Sequence, residues 1–254
     1  MRHLKLTIAY DGTDYCGWQV QTNGVSVQQR LEEGWRKVTG ETIRITASGR
    51  TDGGVHALAQ VCSLATESAM SRRDLYRALN AETPFDISVL SVEEAACGFH
   101  AIRDAIEKTY FYQIQHGRLL DPLRRRYWWH VPVDLNIEAM QTASQCLLGT
   151  HDFASFQSAG AERLSTIRTV TKLEIDANPP ADGTFPSLRI RITADGFLYK
   201  MVRNIVGSLV RVGRGTESAE WMQWALEQRN RRWAGQSAPA HGLFLEQVKY
   251  RDGV

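Results

Sequence analysis

Several things are scarce in this 254-residue chain, and each scarcity closes a possibility. Four cysteines, Cys16, Cys62, Cys97 and Cys146, lie far apart with no C-x-x-C pair and no histidine at zinc-ligand spacing, so free buried thiols are expected, not a disulfide framework or a zinc module. The seven histidines are scattered as well, and the residues neither require nor exclude a metal site. No apolar run approaches the ~20 residues of a membrane-spanning helix. Met1 to Tyr10 alternates polar and apolar residues where a signal peptide would have an apolar core, so the expectation is a cytoplasmic protein with no membrane partner. Net charge is only +2, and the whole-molecule field therefore does not announce a nucleic-acid partner.

What is present is an ordinary globular composition, 43% hydrophobic and 23% charged, which excludes general disorder and allows one large domain or two modest ones. Charge is unevenly placed. Residues 1–103 carry 11 Lys+Arg against 12 Asp+Glu, net −1, and residues 104–254 carry 19 against 16, net +3. Local clusters at Arg124-Arg125-Arg126 and at Arg229, Arg231 and Arg232 are of the kind that contact phosphates, although such runs are more often solvated faces.

The periodicity gives an order of elements. Leu4, Leu6, Ile8 and Tyr10 share a strand face that runs into the turn Asp11-Gly12-Thr13-Asp14, whose carboxylates read as turn chemistry because the other oxygen ligands of an EF-hand are missing. Tyr15-Cys16-Gly17-Trp18-Gln19 is an aromatic loop that could pack or could stack on a base. Ser26-x-x-Gln29 is a capping box ahead of Val27, Leu31, Trp35 and Val38, and Gly40 stops that helix. Strands over Thr42 to Ala47 and Leu58 to Leu64 follow, then a helix from Ser71 broken by Pro84, then a strand from Ile87 to Val92.

From Ala105 the order recurs. Ile106, Tyr110, Tyr112 and Ile114 share a strand face on which Lys108 also lies; a helix is expected from Asp134 to Leu148, strands at about Thr166 to Asp176 and Leu188 to Ala194, helices from Phe197 and near Glu220 to Arg229, and a last strand from Leu243 to Tyr250. Two βαββαβ halves of ferredoxin-like kind are therefore expected, 1–104 and 105–254, in an α+β fold. Their mixed, mostly antiparallel sheet would have about eight strands with helices on one face. Pro179-Pro180-Ala181-Asp182-Gly183 is the expected second-half counterpart of the loop described next.

That loop is Gly49-Arg50-Thr51-Asp52-Gly53-Gly54-Val55-His56-Ala57, which sets three glycines, a cation, a carboxylate and an imidazole between two strands. The glycines give backbone freedom or room for a ligand to approach, and Arg50 and Asp52 put opposite charges close together. By composition alone such a connection is more often a solvated turn. Its pattern, Gly-Arg-Thr-Asp-x-Gly-Val-His-Ala, resembles the signature loop of the tRNA pseudouridine synthase A family, with Gly53 where that family usually has alanine.

The resemblance extends along nearly the whole chain. It includes Tyr10-Asp11-Gly12-Thr13-x-Tyr15-x-Gly17-Trp18-Gln19, Phe99-His100-Ala101 with Ala105, Lys108-x-Tyr110-x-Tyr112, and Gly149-x-His151-Asp152-Phe153-x-Ser155-Phe156. Later blocks are Met201-Val202-Arg203-Asn204-Ile205-Val206-Gly207 and Ala238-Pro239-Ala240-x-Gly242-Leu243, with Lys200 standing where the family often has histidine. The resemblance implies the pseudouridine synthase fold and isomerisation of uridine to pseudouridine at the thirty-eighth, thirty-ninth and fortieth nucleotides of the tRNA anticodon stem-loop, with no cofactor, no metal, and a homodimer. It implies Asp52 as the catalytic residue, Tyr110 against the flipped uracil and Leu243 on the base's other side, with Tyr112 a structural neighbour. Arg50 and Arg203 are the guanidinium candidates that keep Asp52 ionised, a carboxyl whose unperturbed pKa is ~3.9.

Two other classes fit parts of the chain. A non-catalytic RNA-binding module could use a ferredoxin-like sheet with exposed aromatics, but its Gly-aromatic-Gly-aromatic motif is missing and it needs no carboxylate in a cleft. A metal-dependent phosphodiesterase would place Asp11, Asp14 and Asp52 on a metal ion.

Overall fold

The computed structural model describes residues 1–160, 165–178 and 185–251. It divides into two compact units, Met1–Lys108 with Phe244–Val254, and Thr109–Leu243.

In the first unit, β1 (Arg2–Tyr10) buries Leu4, Leu6, Ile8 and Tyr10 on one face, as the alternation requires. It runs antiparallel to β3 (His56–Thr66), with Leu6 opposite Cys62, and to β4 (Ile87–Glu94), with Leu6 opposite Val92. The β1–β3 register shifts between Ile8 and Tyr10, a bulge that re-aims the chain just before Asp11. Helix α1 (Val27–Thr39) begins where the Ser26 hydroxyl accepts the Gln29 N–H and ends at Gly40, whose φ of 77° is the left-handed C-cap. The anticipated capping box is only half made, because the Gln29 side chain donates to Glu33 instead of turning back. Helix α2 (Arg72–Glu82), capped by Ser71, packs on α1 and β4. Leu31, Leu75 and Leu79 are completely buried, each contributing about 1.5–3 kcal/mol relative to exposure, and they hold these helices in place.

The strand expected over residues 42–47 is only β2 (Thr46–Ala47), paired with β3 through Thr46 and Ser63. The reason is local: the Ile45 N–H, which a longer ladder would use, donates to Glu32 Oε1 at 2.9 Å. Most of β10 (Leu243–Tyr250) also belongs to this unit, since Phe244 and Leu245 pair in parallel with His56 and Ala57. The unit boundary thus differs from a division at residue 104, because a strand at the end of the chain returns to the first unit.

The second unit takes most of β5 (Ala105–His116), with Tyr110, Tyr112 and Ile114 buried, and the short β6 (Trp129–Val131) parallel to it. Helix α3 (Ile137–Ser144) is shorter than the anticipated 134–148: Asn136 caps it by accepting the Ala139 N–H, and its last turn tightens to a 3-10 helix over Gln145–Leu147. Strands β7 (Gly149–Asp152), β8 (Ile167–Asn178) and β9 (Ser187–Ala194) are antiparallel in that order. Helices α4 (Met201–Gly213) and α5 (Ala219–Glu227) pack with α3. Lys200 has φ 59°, which breaks the backbone ahead of Met201 and explains why α4 does not start at Phe197.

Among the described residues the strand paths within the units are β4-β1-β3-β10 and β5-β9-β8-β7, eight strands, with β2 and β6 as short additions. The class is α+β, mixed and mostly antiparallel. Residues 179–183, the anticipated counterpart of the Asp52 loop, lie outside the described residues. Among the described residues no helix is long and apolar enough to cross a membrane. The expectation of four buried thiols holds for Cys62 alone: Cys97 is exposed and Cys16 and Cys146 are half-buried, all four being free.

Candidate active site

The loop between β2 and β3 is held at Ser48, Gly49, Thr51 and Asp52 by groups outside it. Ser48 donates its N–H to Val61 O at 2.7 Å and its hydroxyl to Gln60 Oε1 at 2.6 Å, and Gln60 Nε2 donates back to Gly49 O at 2.8 Å. Lys108 Nζ donates to Ser48 O at 2.6 Å. Thr51 is buried, its hydroxyl 2.8 Å from the buried Tyr10 hydroxyl and its carbonyl accepting the Trp18 N–H at 3.0 Å. Asp52 forms a β-bridge with Gly17 and begins a four-residue turn closed by Val55 N–H to Asp52 O at 3.1 Å. Gly54 has φ 79° at the third position of that turn, where a type II turn needs it.

This geometry explains why the loop occurs with the Tyr10–Gln19 block. A Cβ on Gly12 would stand 2.0 Å from Val55 O, and one on Gly17, itself at φ 110°, would stand 2.7 Å from Thr51 O. Both glycines let the two segments lie backbone against backbone. Gly53 is different, since a Cβ there would meet Cys16 C and Tyr15 O at 3.4 Å, an ordinary contact. Alanine fits at that position without moving Asp52.

The remaining side chains around the loop are committed to packing or turns. Tyr15 and Trp18 are buried, and Tyr15 donates to Asp86 Oδ1 at 2.5 Å, so the aromatic loop packs. Asp11 Oδ1 accepts from Thr13 N–H at 3.0 Å and from its hydroxyl at 2.6 Å, the anticipated turn chemistry. His56 Nδ1 lies 3.1 Å from Gly12 N and 3.0 Å from Asp11 Oδ1: neutral, it accepts the backbone N–H; protonated, it would hold the carboxylate. Its ring stacks on Phe244 at 4.6 Å. Asp52 is half-buried and Arg50 exposed.

In the second unit, Tyr110 is buried edge-on to Phe197 at 5.1 Å. Arg203, in the first turn of α4, donates Nε–H to Ala238 O at 2.7 Å while its own carbonyl accepts the Ala238 N–H at 3.0 Å. Tyr112 donates its hydroxyl to Pro239 O at 2.7 Å, and burial pushes its phenol well above the usual range. Asn204, fully buried, donates to Phe156 O at 2.7 Å and accepts from Arg231 at 3.1 Å and from Ser237. The Gly235 N–H reaches Ser208 Oγ at 2.8 Å, and a Cβ on Gly207 would lie 1.7 Å from Gln236 O. The helical block around Arg203 is thus a bracket for the segment that delivers the buried Leu243 to the start of β10.

Arg50 and Asp52 therefore share one loop of the first unit, while Tyr110, Arg203, Tyr112 and Leu243 belong to the second. Sequence reasoning missed Lys108, Gln60 and the Tyr10–Thr51 pair as supports of the loop. The available signal was a cation on the apolar face of Ile106 and Tyr110. The basic clusters are also less uniform than their sequence. Arg231 is tied to Asn204 and to Ala234 O, Arg229 lies 3.6 Å from Asp152, and Arg124 is paired with Asp121 at 3.1 Å and placed over Trp128, leaving Arg125 and Arg126 exposed.

Comparison with known proteins gives consistent matches. The family model described as tRNA pseudouridine synthase matches residues 6–102 and 143–251. The tRNA pseudouridine synthase A 2 of Clostridium perfringens is 42% identical over 250 residues, covering 98% of this chain and 100% of the relative. The tRNA pseudouridine synthase A proteins of Pelobacter propionicus and of a Thermoanaerobacter species are 43% and 41% identical with the same coverage.

Proposed function

Since the chain belongs to the tRNA pseudouridine synthase family, we propose that it isomerises uridine to pseudouridine at the thirty-eighth, thirty-ninth and fortieth nucleotides of the tRNA anticodon stem-loop. Asp52 is its catalytic carboxylate. The observation that carries this assignment is the fixing of Asp52 by its bridge to Gly17 and by the turn that starts at its own carbonyl. A group held this way loses little freedom on meeting its substrate, and positioning of this kind is a large part of catalysis.

The reaction breaks the C1′–N1 bond, turns the uracil over, and joins C1′ to C5; C5 gives up its proton and N1 gains one, so the product is an isomer of the substrate. All electrons stay within one nucleoside, and the chemistry calls for no cofactor and no metal. A stacked nucleotide cannot reach a loop carboxylate, so the uridine is flipped out. Tyr110 stacks on the flipped base, Leu243 packs its other side, and Arg50 and Arg203 supply positive charge near the carboxylate or the nucleotide phosphates. Exposed Arg125 and Arg126 contact the tRNA backbone. The protein acts in the cytoplasm as a homodimer.

The test uses purified protein and a tRNA transcript, with pseudouridine mapped by carbodiimide adducts that stop primer extension. Wild-type protein modifies uridines in the anticodon arm; Asp52→Asn abolishes conversion and leaves RNA affinity within a few fold. Equal turnover by that variant refutes the assignment, and strand cleavage without pseudouridine, lost on chelation of divalent ions, would favour the metal-dependent phosphodiesterase.

A further inference from the structure

The entry to the Asp52 loop is set by two successive carbonyls, Ser48 O and Gly49 O, each taken by a side chain from elsewhere in the first unit. For Gly49 the partner is Gln60, a completely buried amide whose other end accepts the Ser48 hydroxyl, an ordinary way to satisfy a buried backbone group. For Ser48 the partner is an ammonium. Lys108 is half-buried, and its Nζ stands 2.6 Å from the carbonyl oxygen. A lysine ammonium is strongly hydrated and carried on a flexible stem, so it is a costlier donor to a backbone oxygen than the neutral amide that serves Gly49. The strand pattern would have placed an apolar residue there.

A charged donor makes a shorter and stronger hydrogen bond than a neutral one, so it fixes a carbonyl more tightly. The fixed carbonyl lies four residues before Asp52, and between them Gly49 is pinned by Gln60 and Thr51 by Tyr10 and the Trp18 amide. We propose that Lys108 is a positioning residue for the isomerisation, acting through the Ser48 carbonyl to set where the Asp52 carboxylate stands, and that it does not itself hold RNA. This rests on the reading of Asp52 as the catalytic carboxylate.

Single-turnover conversion and equilibrium RNA binding of Lys108→Met separate the possibilities. Misplacement of a reacting group costs on the order of 10- to 100-fold in rate, so the rate constant falls by that factor. Meanwhile the dissociation constant stays within about threefold and its dependence on salt is unchanged. Lys108→Arg, which keeps a cationic donor, recovers most of the lost rate. If Lys108→Met does not fold, Lys108→Gln takes its place, with the same split expected. An unchanged rate constant overturns the proposal, as does weakened binding with a shallower salt slope at an unchanged rate, which would make Lys108 a phosphate contact. A wild-type protein that converts no uridine would instead overturn the functional reading, a result distinguishable from either.

Discussion

Replacing Gly207 by alanine sets two physical effects of opposite sign against each other. Gly207 lies in the interior of α4, where alanine is favoured over glycine by about 1 kcal/mol through backbone entropy. Against this, the new Cβ would lie 1.7 Å from Gln236 O and 2.9 Å from Gln236 C, distances that real Cβ atoms do not reach. Both partners are backbone, so the 236–238 segment must retreat by more than an ångström. The retreat stretches the Ala238 N–H bond to Arg203 O, the Arg203 Nε bond to Ala238 O, and the Gly235 N–H bond to Ser208 Oγ, now 3.0, 2.7 and 2.8 Å. Overpacking costs about 1–3 kcal/mol and the three bonds, stretched and not lost, about 2 kcal/mol together, so after the gain of about 1 kcal/mol the clash wins by roughly 2–4 kcal/mol. At about 2–4 °C per kcal/mol for a chain of this size, the expected fall in Tm by calorimetry is on the order of 5–15 °C. Gly34→Ala is the control: it lies in α1, where a Cβ would meet Thr83 Cγ2 at an ordinary 3.4 Å, and it should be neutral or stabilising. A Gly207→Ala protein as stable as wild type would refute the bracket described for α4.

Three further outcomes follow from the same geometry. Gly53→Ala should convert uridine within about twofold of the wild-type rate, whereas Gly12→Ala, with its Cβ 2.0 Å from Val55 O, should lose most activity or stability; the same conversion assay reads both, and equal behaviour would refute the contact argument. His241 donates from Nε2 to Trp128 O at 3.1 Å, and burial, with Arg203 nearby, holds its imidazole below the usual value. The unfolded chain therefore takes up a proton first, and stability falls as pH drops below about 6.5. In urea titrations at pH 7.5 and 5.5, His241→Gln should show a smaller loss than wild type, even though His116, also lowered by burial, contributes to both. Finally, Arg125→Glu with Arg126→Glu should weaken tRNA binding and flatten its salt slope by about two, while Arg231→Glu should chiefly destabilise, because Arg231 is spent on Asn204 and Ala234. An unchanged salt slope would remove Arg125 and Arg126 from the interface.

Strong periodicity and caps were legible in the sequence: β1, α1, α2 and β10 appear where alternation, Ser26, Ser71 and the terminal apolar run place them. Failures occurred where a side chain or a single backbone angle competes with the pattern. Glu32 takes the Ile45 N–H and shortens β2, Asn136 resets the start of α3, and Lys200 interrupts the run from Phe197. β6 and β7 are too short to show a period. For the site, the loop and the residues to watch were legible as motifs, but nothing in their spacing says that Lys108 reaches Ser48, or that Arg203 and Tyr112 grip Ala238 and Pro239. Such contacts join residues distant in sequence, and only the fold creates them.

The two departures from the family pattern show how those contacts constrain sequence. Position 53 is the second residue of the turn that starts at Asp52, it needs no positive φ, and its Cβ direction meets ordinary contacts, so glycine and alanine are interchangeable there at a cost of little more than chain entropy. Position 200 is constrained by the backbone instead. At φ 59° an ordinary residue is strained by about 1–2 kcal/mol, and histidine is among the side chains enriched in that region. Lysine accepts that strain here: its carbonyl receives the Asn204 N–H at 2.9 Å, and its ammonium stands 5.1 Å over the Tyr199 ring. What the backbone requires at this position is a left-handed conformation, which lysine adopts here and histidine tolerates better than most residues.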